Sequence, residues 1–238
     1  MPLISVITVT YNAVHTIEAT IRSIVSQSFK DFEFIIIDGG SSDGTLDIID
    51  KYKPELSYVV SEVEKGIYDA MNKGINASKG EYIYFIGGDD ILYDTGVLQN
   101  ISVWLRSNEL DLLAGEVIYN TGRRFHSFFG FKTLLNNTIH HQGAFYNRRL
   151  FSLFRYDTNF KLIADYELNL NLYNKRQELK YKMIPTTISL CQDGGASRKE
   201  LGQAYHETNK VRAKVLGRNS IILKYIFTIK FFISKYAF

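Results

Sequence analysis

Four apolar runs in the first ninety residues are continuous rather than alternating, and helical patterns separate them. Residues 3 to 10 (LISVITVT), 32 to 37, 56 to 60 and 82 to 86 read as strands with both faces buried. Between them, apolar residues recur at helical spacing: Ile17, Ile21, Ile24 and Val25, then Leu46, Ile49 and Tyr52, then Tyr68, Met71 and Ile75. That alternation predicts an α/β fold with a Rossmann-like, mainly parallel sheet flanked by helices. The second half is less regular. Helices are expected near 95–106 and 165–176, and strands near 111–118, 123–128, 143–146 and 180–190. Residues 129–142 read as a mobile loop. With 238 residues and no internal repeat or proline-rich linker, one core domain over 1–205 and a helical extension over 206–238 are expected.

In an open parallel sheet, ligands bind beyond the carboxyl ends of the strands. Those ends carry Thr10-Tyr11-Asn12, Asp38-Gly39-Gly40, Glu62 with Glu64, and Asp89-Asp90. Each group alone has a structural explanation, as a helix cap or a tight turn. Four consecutive strand ends point instead to a shared polar rim. The glycine spacing of a dinucleotide site is missing from GGSSDG at 39–44, and there is no G-x-x-x-x-G-K-[ST] loop. A bound diphosphate would then need a metal to offset its charge. Asp89-Asp90 supplies hard oxygen ligands suited to magnesium or manganese.

The segments SVITVTYN at 5–12, IIIDGGSSDGT at 35–45 and EKGIYDAMNKGINASKGEYIYFIGGDD at 64–90 resemble, in that order, the motifs of the family 2 glycosyltransferases. These are inverting enzymes of GT-A fold that use nucleotide-sugar donors, and the resemblance spans roughly residues 3–200. It implies donor contacts at Thr10, Tyr11, Asn12, Asp38, Asp43, Asn72 and Asp89. The Asp-x-Asp metal motif maps onto Gly88-Asp89-Asp90, which leaves the metal to Asp90. ADYEL at 164–168 resembles the segment that carries the general base. Asp165 takes that role, with Glu167 in reserve because Ala164 replaces the usual Glu. His140-His141-Gln142 resembles a feature lining the acceptor side, and Gly194-Gly195-Ala196-Ser197 a lid.

The implied activity is transfer of a sugar from a nucleotide-diphosphate donor, uridine-linked by expectation, to a glycan or polyprenyl-linked acceptor in cell-surface polysaccharide assembly. Two alternatives stand beside it. A sugar nucleotidyltransferase would carry a glycine-rich segment where Thr10-Tyr11-Asn12 lies, and a non-catalytic scaffold would have no use for Asp38, Asp90 and Asp165 together.

Charge is unevenly spread. From Thr208 onward there are seven Lys or Arg and no acid, which leaves 21 basic against 25 acidic residues before it. In residues 221–238, Ile221, Ile222, Tyr225, Ile226, Ile229, Phe232, Ile233 and Tyr236 share a helical arc of about 140°, with lysines largely opposite. Lys224, Lys230 and Lys235 argue against a spanning helix. An in-plane helix on an anionic membrane is expected, with a helix packed on the core or on a second copy as the alternative. An isoleucine-rich face has no use on a phosphate backbone, so no nucleic acid is expected. The single cysteine, Cys191, and the lack of an apolar leader before Leu3 lead to the cytoplasmic face of the membrane as the expected location. Oligomeric state stays open.

Overall fold

The computed structural model describes residues 1–194 and 200–221, together with 223, 225 and 228. Gly195, Ala196 and Ser197 of the expected lid and most of the 221–238 arc lie outside the described residues.

The first half follows the expected alternation. Strands β1 (Ile4–Thr10), β2 (Phe32–Asp38), β3 (Tyr58–Ser61) and β4 (Tyr82–Gly87) pair in parallel in the order β3-β2-β1-β4. Helices α1 (Ile17–Val25), α2 (Thr45–Lys51) and α3 (Ile67–Ala77) connect them. The continuous apolar runs are needed because two separate cores form. Val6, Phe34, Ile36, Tyr84 and Ile86 pack on one face with Ile17, Ile21 and Ile24 of α1. Ile7, Ile35, Ile37, Ile83 and Phe85 pack on the other with Met71 and Ile75 of α3.

Beyond β4 the sheet turns mixed. Its order continues β4-β8-β6-β9-β5, where β8 is Ala144–Asn147, β6 Leu112–Tyr119, β9 Tyr181–Cys191 and β5 Ile91–Leu92. β8 runs antiparallel to both β4 and β6, whereas β6 and β9 are parallel. β7 (Arg124–His126) forms a hairpin with β6. Helix α4 (Val97–Asn108) buries Val97, Leu98, Ile101 and Leu105, and α5 (Ala164–Asn174) is buried along most of its length. The expected sheet flanked by helices is present, and the strands expected in the second half appear as β6 to β9. The antiparallel β8 gives no sign in the hydropathy pattern, because an apolar tetrapeptide carries no direction.

Two expectations need correction. Residues 129–142 do not form a loose loop: Phe129, Thr133 and Ile139 are buried, and short helical turns occupy Phe131–Leu134 and His141–Gly143. Nor does a domain boundary fall at 205. Helix α6 (Leu201–Leu216) crosses it and packs on α5. Glu207 accepts the backbone N–H groups of Lys161 and Leu162. Arg212, fully buried, donates to the carbonyls of Leu134 and Leu135. The basic charges assigned to a tail therefore belong in part to the core.

Beyond Gly217, the hydroxyl of Thr228 shares a hydrogen bond with that of Tyr205 in α6. Ile221 and Tyr225 are exposed there. Among the described residues, no helix is long and apolar enough to cross a membrane. Removing Glu207, Val211 and Arg212 would strip buried partners from two loops, each an unmet polar group of about 1–3 kcal/mol. A chain ending at Leu216 or just after it is expected to melt cooperatively near the full-length temperature by circular dichroism, and one ending at Tyr205 is expected to have no cooperative transition.

Candidate active site

A cavity of about 940 Å³ opens at the carboxyl ends of β1 and β4. Thr10, Tyr11, Asn12, Gly87, Asp89 and Asp90 line one side, and Tyr68, Asn137, His140, His141, Gln142 and Asp165 line the other. The strand ends meet because β1 and β4 are in register, with Val9 opposite Gly87.

Glycine is required at that junction. A Cβ on Gly88 would lie 2.5 Å from Thr10 Oγ1, so an aspartate there, as in Asp-x-Asp, would collide with Thr10. The departure at the first motif position thus has a steric cause. A Cβ on Gly87 would fall 2.8 Å from Asp89 Oδ1 and 2.9 Å from Asp90 Oδ2. Both carboxylates accordingly border one small space that only a glycine leaves open. Asp89 is exposed, whereas Asp90 is 3% exposed. Gln142 Nε2 donates to Asp90 Oδ2 at 2.8 Å and the Gln192 N–H to Oδ1 at 3.0 Å. The second bond follows from the pairing of β5 with β9, which sets Ile91 opposite Leu190. Burial, and then the charge of Asp89, raise the Asp90 carboxyl above its ordinary value.

Such a pair suits a hard divalent ion that takes its remaining ligands from a diphosphate and water. Asp89 and Asp90 would hold it, and the open space beside Gly87 fits that role. Among the described residues no group of three or more acidic, His or Cys side chains is placed to chelate an ion without the substrate.

Asp165 sits in the first turn of α5, where the helix dipole favours an anion. Its side chain is 14% exposed. Tyr68 Oη donates to Oδ1 at 3.2 Å, Asn137 Nδ2 to Oδ2 at 2.7 Å, and His141 Nδ1 stands 3.5 Å from Oδ2. Burial alone would raise its pKa. His141, by hydrogen bond and charge, and the Tyr68 hydroxyl outweigh that and hold Asp165 below the ordinary carboxylate value. Asp165 is therefore kept as the anion, ready to accept a proton.

The other expected residues are engaged elsewhere. Asp38 is fully buried and accepts from Gly40 N, Ser41 N, Ser41 Oγ and Ser61 Oγ, which shapes the loop after β2. Asp43 accepts from Val14 N and Thr45 N. Asn72 exchanges hydrogen bonds with the backbone of Tyr156. None of the three lines the cavity. Glu62 and Glu64 both pair with Lys73 at 2.7 Å. Glu167, the reserve base, also lies off the cavity and pairs with Lys214 of α6 at 2.7 Å. Of the two acids of this segment, Asp165 alone lines the cavity. Asn12 adopts φ 47°, a conformation asparagine tolerates, and bonds with Ser41 and Ser42 join the first two strand-end loops. The Tyr11 ring is 65% exposed at the cavity lip, against the backbone of Gly39.

Sequence reasoning did not single out Tyr68, Asn137 or Gln192. Tyr68 was legible only as an apolar helix position, and Asn137 lies in the stretch read as a mobile loop. Cys191 lines the cavity, but burial raises its thiol pKa strongly, so it is no nucleophile.

Two strand-end motifs, a carboxylate pair beside Gly87 and an acid at a helix start thus face one cavity. The profile described as Glycosyl transferase family 2 matches residues 5–176. The chain belongs to glycosyl transferase family 2. It is 32% identical over 203 residues to a PGL/p-HBAD biosynthesis glycosyltransferase of Mycobacterium bovis, which covers 82% of this chain and 79% of the relative. It is 38% identical over 102 residues to the Escherichia coli UDP-Glc:alpha-D-GlcNAc-diphosphoundecaprenol beta-1,3-glucosyltransferase WfaP, covering 42% of this chain and 41% of that one. Staphylococcus aureus TarS 1–349, solved with UDP, superposes with a TM-score of 0.74 at 20% identity, over 95% of this chain and 70% of TarS. The fold of this family 2 glycosyltransferase is GT-A.

His140 gives this site a pH signature. Its Nε2 lies 2.9 Å from Tyr119 Oη and its ring packs edge-on against Tyr119 and Phe125. Burial, and then His141, push its pKa down from 6.5 to about 3. In the unfolded chain the same imidazole protonates near 6.5, so this residue's contribution to stability is complete above that pH and declines as pH falls towards 3. Unfolding free energy is expected to be about 1.4 kcal/mol lower at pH 5.5 than at pH 7.5 through this residue. His140→Gln should remove that difference when the two proteins are compared by urea unfolding at both pH values.

Proposed function

We propose that this family 2 glycosyltransferase is an inverting enzyme that moves a sugar from a UDP-sugar to a glycan or lipid-linked acceptor in cell-surface polysaccharide or glycolipid assembly. The observation that carries the reading is that one cavity presents the Asp89-Asp90 pair and an Asp165 kept anionic. The UDP complex of TarS and the named donor and acceptor of WfaP support a uridine donor and a lipid-linked acceptor.

In this reading Tyr11 stacks on the nucleobase, and Asn12 sets the height of the loop that receives it. Asp38 and Asp43 contribute by holding the loops after β2, and Asn72 by fixing α3 to the segment at Tyr156. Asp89 and Asp90 hold a magnesium or manganese ion, which when bound offsets the charge of the departing diphosphate. Asp165 Oδ accepts the proton of the acceptor hydroxyl as that oxygen attacks the anomeric carbon from the side opposite the leaving group. Asn137 and Tyr68 keep the carboxylate turned into the cavity while it does so. No covalent enzyme intermediate arises, so the buried Cys191 is not called on.

A screen of nucleotide sugars for Mn²⁺-dependent hydrolysis tests the reading, because hydrolysis needs no acceptor. Asp90→Ala is expected to abolish Mn²⁺-dependent UDP binding and turnover together. Asp165→Asn is expected to keep Mn²⁺–UDP binding and lose roughly 10² to 10⁴ in turnover. Full turnover in chelator, or by Asp165→Asn, would contradict the assignment.

The same proposal places the enzyme on the cytoplasmic face of a membrane. Exposed Ile221 and Tyr225 follow α6, with Lys210 and Arg218 nearby in sequence. Such a combination binds anionic interfaces by two attractions at once. Full-length protein is expected to sediment with phosphatidylglycerol vesicles in a salt-sensitive way, and protein ending at Arg218 to remain in the supernatant.

A further inference from the structure

The short helical turn His141–Gly143 reaches both catalytic carboxylates from adjacent residues. His141 Nδ1 stands 3.5 Å from Asp165 Oδ2, and Gln142 Nε2 lies 2.8 Å from Asp90 Oδ2. The backbone between them is anchored in the sheet. The Gln142 carbonyl accepts from Tyr84 Oη of β4 at 3.0 Å and from Ser189 Oγ of β9 at 2.6 Å, and Gly143 N closes the turn onto the His140 carbonyl at 2.9 Å.

The Gln142 amide is oriented by Asp90 and not by packing alone. Its Oε1 is buried without a close hydrogen bond, and the amide interacts with the His140 imidazole. Flipping the amide would set that oxygen against Asp90 Oδ2, two acceptors at hydrogen-bond distance. The observed orientation keeps the amide donor on the carboxylate. Donors behind a metal-holding carboxylate fix its direction and its readiness to bind. His141 faces Asp165 in the same way, beside the fixed donors Asn137 and Tyr68.

We propose that His141 and Gln142 are positioning residues that tie the metal-holding and proton-accepting carboxylates to one rigid turn, Gln142 orienting Asp90 and His141 orienting Asp165. The turn thereby sets where the acceptor oxygen is deprotonated relative to where the diphosphate is held. This rests on the roles given above to Asp90 and Asp165, and it adds two residues of the cavity wall to them.

The test is a crossed pattern. Mn²⁺ affinity is read by electron paramagnetic resonance in the presence of UDP, for wild type, Gln142→Leu and His141→Gln, with hydrolysis of the donor found by the screen followed in parallel. Gln142→Leu is expected to weaken Mn²⁺ binding about 10- to 100-fold, with turnover recovered by excess Mn²⁺. His141→Gln is expected to leave Mn²⁺ affinity and donor KM unchanged while kcat falls, with no recovery by Mn²⁺. Gln142→Met, which keeps the length without the amide, gives the metal readout should the leucine variant not fold. Unaltered Mn²⁺ affinity in the Gln142 variants, or equal losses in both readouts for both residues, overturns the inference and leaves the assignment of Asp90 and Asp165 standing. Wild-type protein that binds no Mn²⁺ with UDP overturns that assignment and this inference together.

Discussion

Asp90 is a carboxylate almost cut off from water, and the surrounding fold is arranged so that such a group can exist there. An isolated buried anion would be costly, and it is tolerated only where donors or a cation meet it. Here the donors come from two places far apart in sequence, the Gln142 side chain and the Gln192 backbone. Each requires a long-range pairing: the turn after Ile139 must dock on β4 and β9, and β5 must pair with the end of β9. The mixed half of the sheet is thus a frame for one acid, whereas the parallel half supplies the loops that face it.

Asp90 is buried and Asp165 largely so, and their surroundings move them in opposite directions. Asp90 is raised by burial and by the neighbouring Asp89. Asp165 is lowered because His141 and Tyr68 overcome the same burial. Environments that drive two titratable groups apart commonly mark different chemical duties. A group whose anion is disfavoured by a second carboxylate has most to gain from a bound cation, which reverses the local balance. A group already held as an anion needs no cation and can take up a proton when a hydroxyl arrives.

Much of the parallel half was legible in the sequence because its signal is local. Uninterrupted apolar runs between helical patterns fix strands β1 to β4, and polar residues at their ends mark the rim. Thr10, Tyr11, Asn12, Asp89, Asp90 and Asp165 do face the cavity. Asp38, Asp43 and Asn72 carry the same motif signal, yet their polar atoms are taken up by loop backbone and by Tyr156. Residue type alone cannot separate a carboxylate that shapes a loop from one that meets a ligand. The 129–142 stretch was misread for a related reason: Asn136, Asn137 and Thr138 look like solvent-facing loop residues, whereas Asn137 serves Asp165 and Thr138 bonds Thr133.

The same difficulty attends the basic residues after Thr208, where a charge count points outward and the structure points partly inward. Arg212 is consumed by backbone carbonyls, and Lys214 by Asp157 and Glu167. What α6 clamps is a pair of segments that lead to Asp165 and its donor: the carbonyls at 134 and 135 lead into Asn137, and the N–H groups at 161 and 162 lead into Asp165. Asn137 follows Leu135 by two positions and Asp165 follows Leu162 by three, distances over which a chain anchored at one end has little freedom. Helix α6 therefore acts on the Asp165 side of the cavity without lining it. Thr228 shares a hydrogen bond with Tyr205 of this helix, so what holds Thr228 meets the same element that bears on the frame around Asp165.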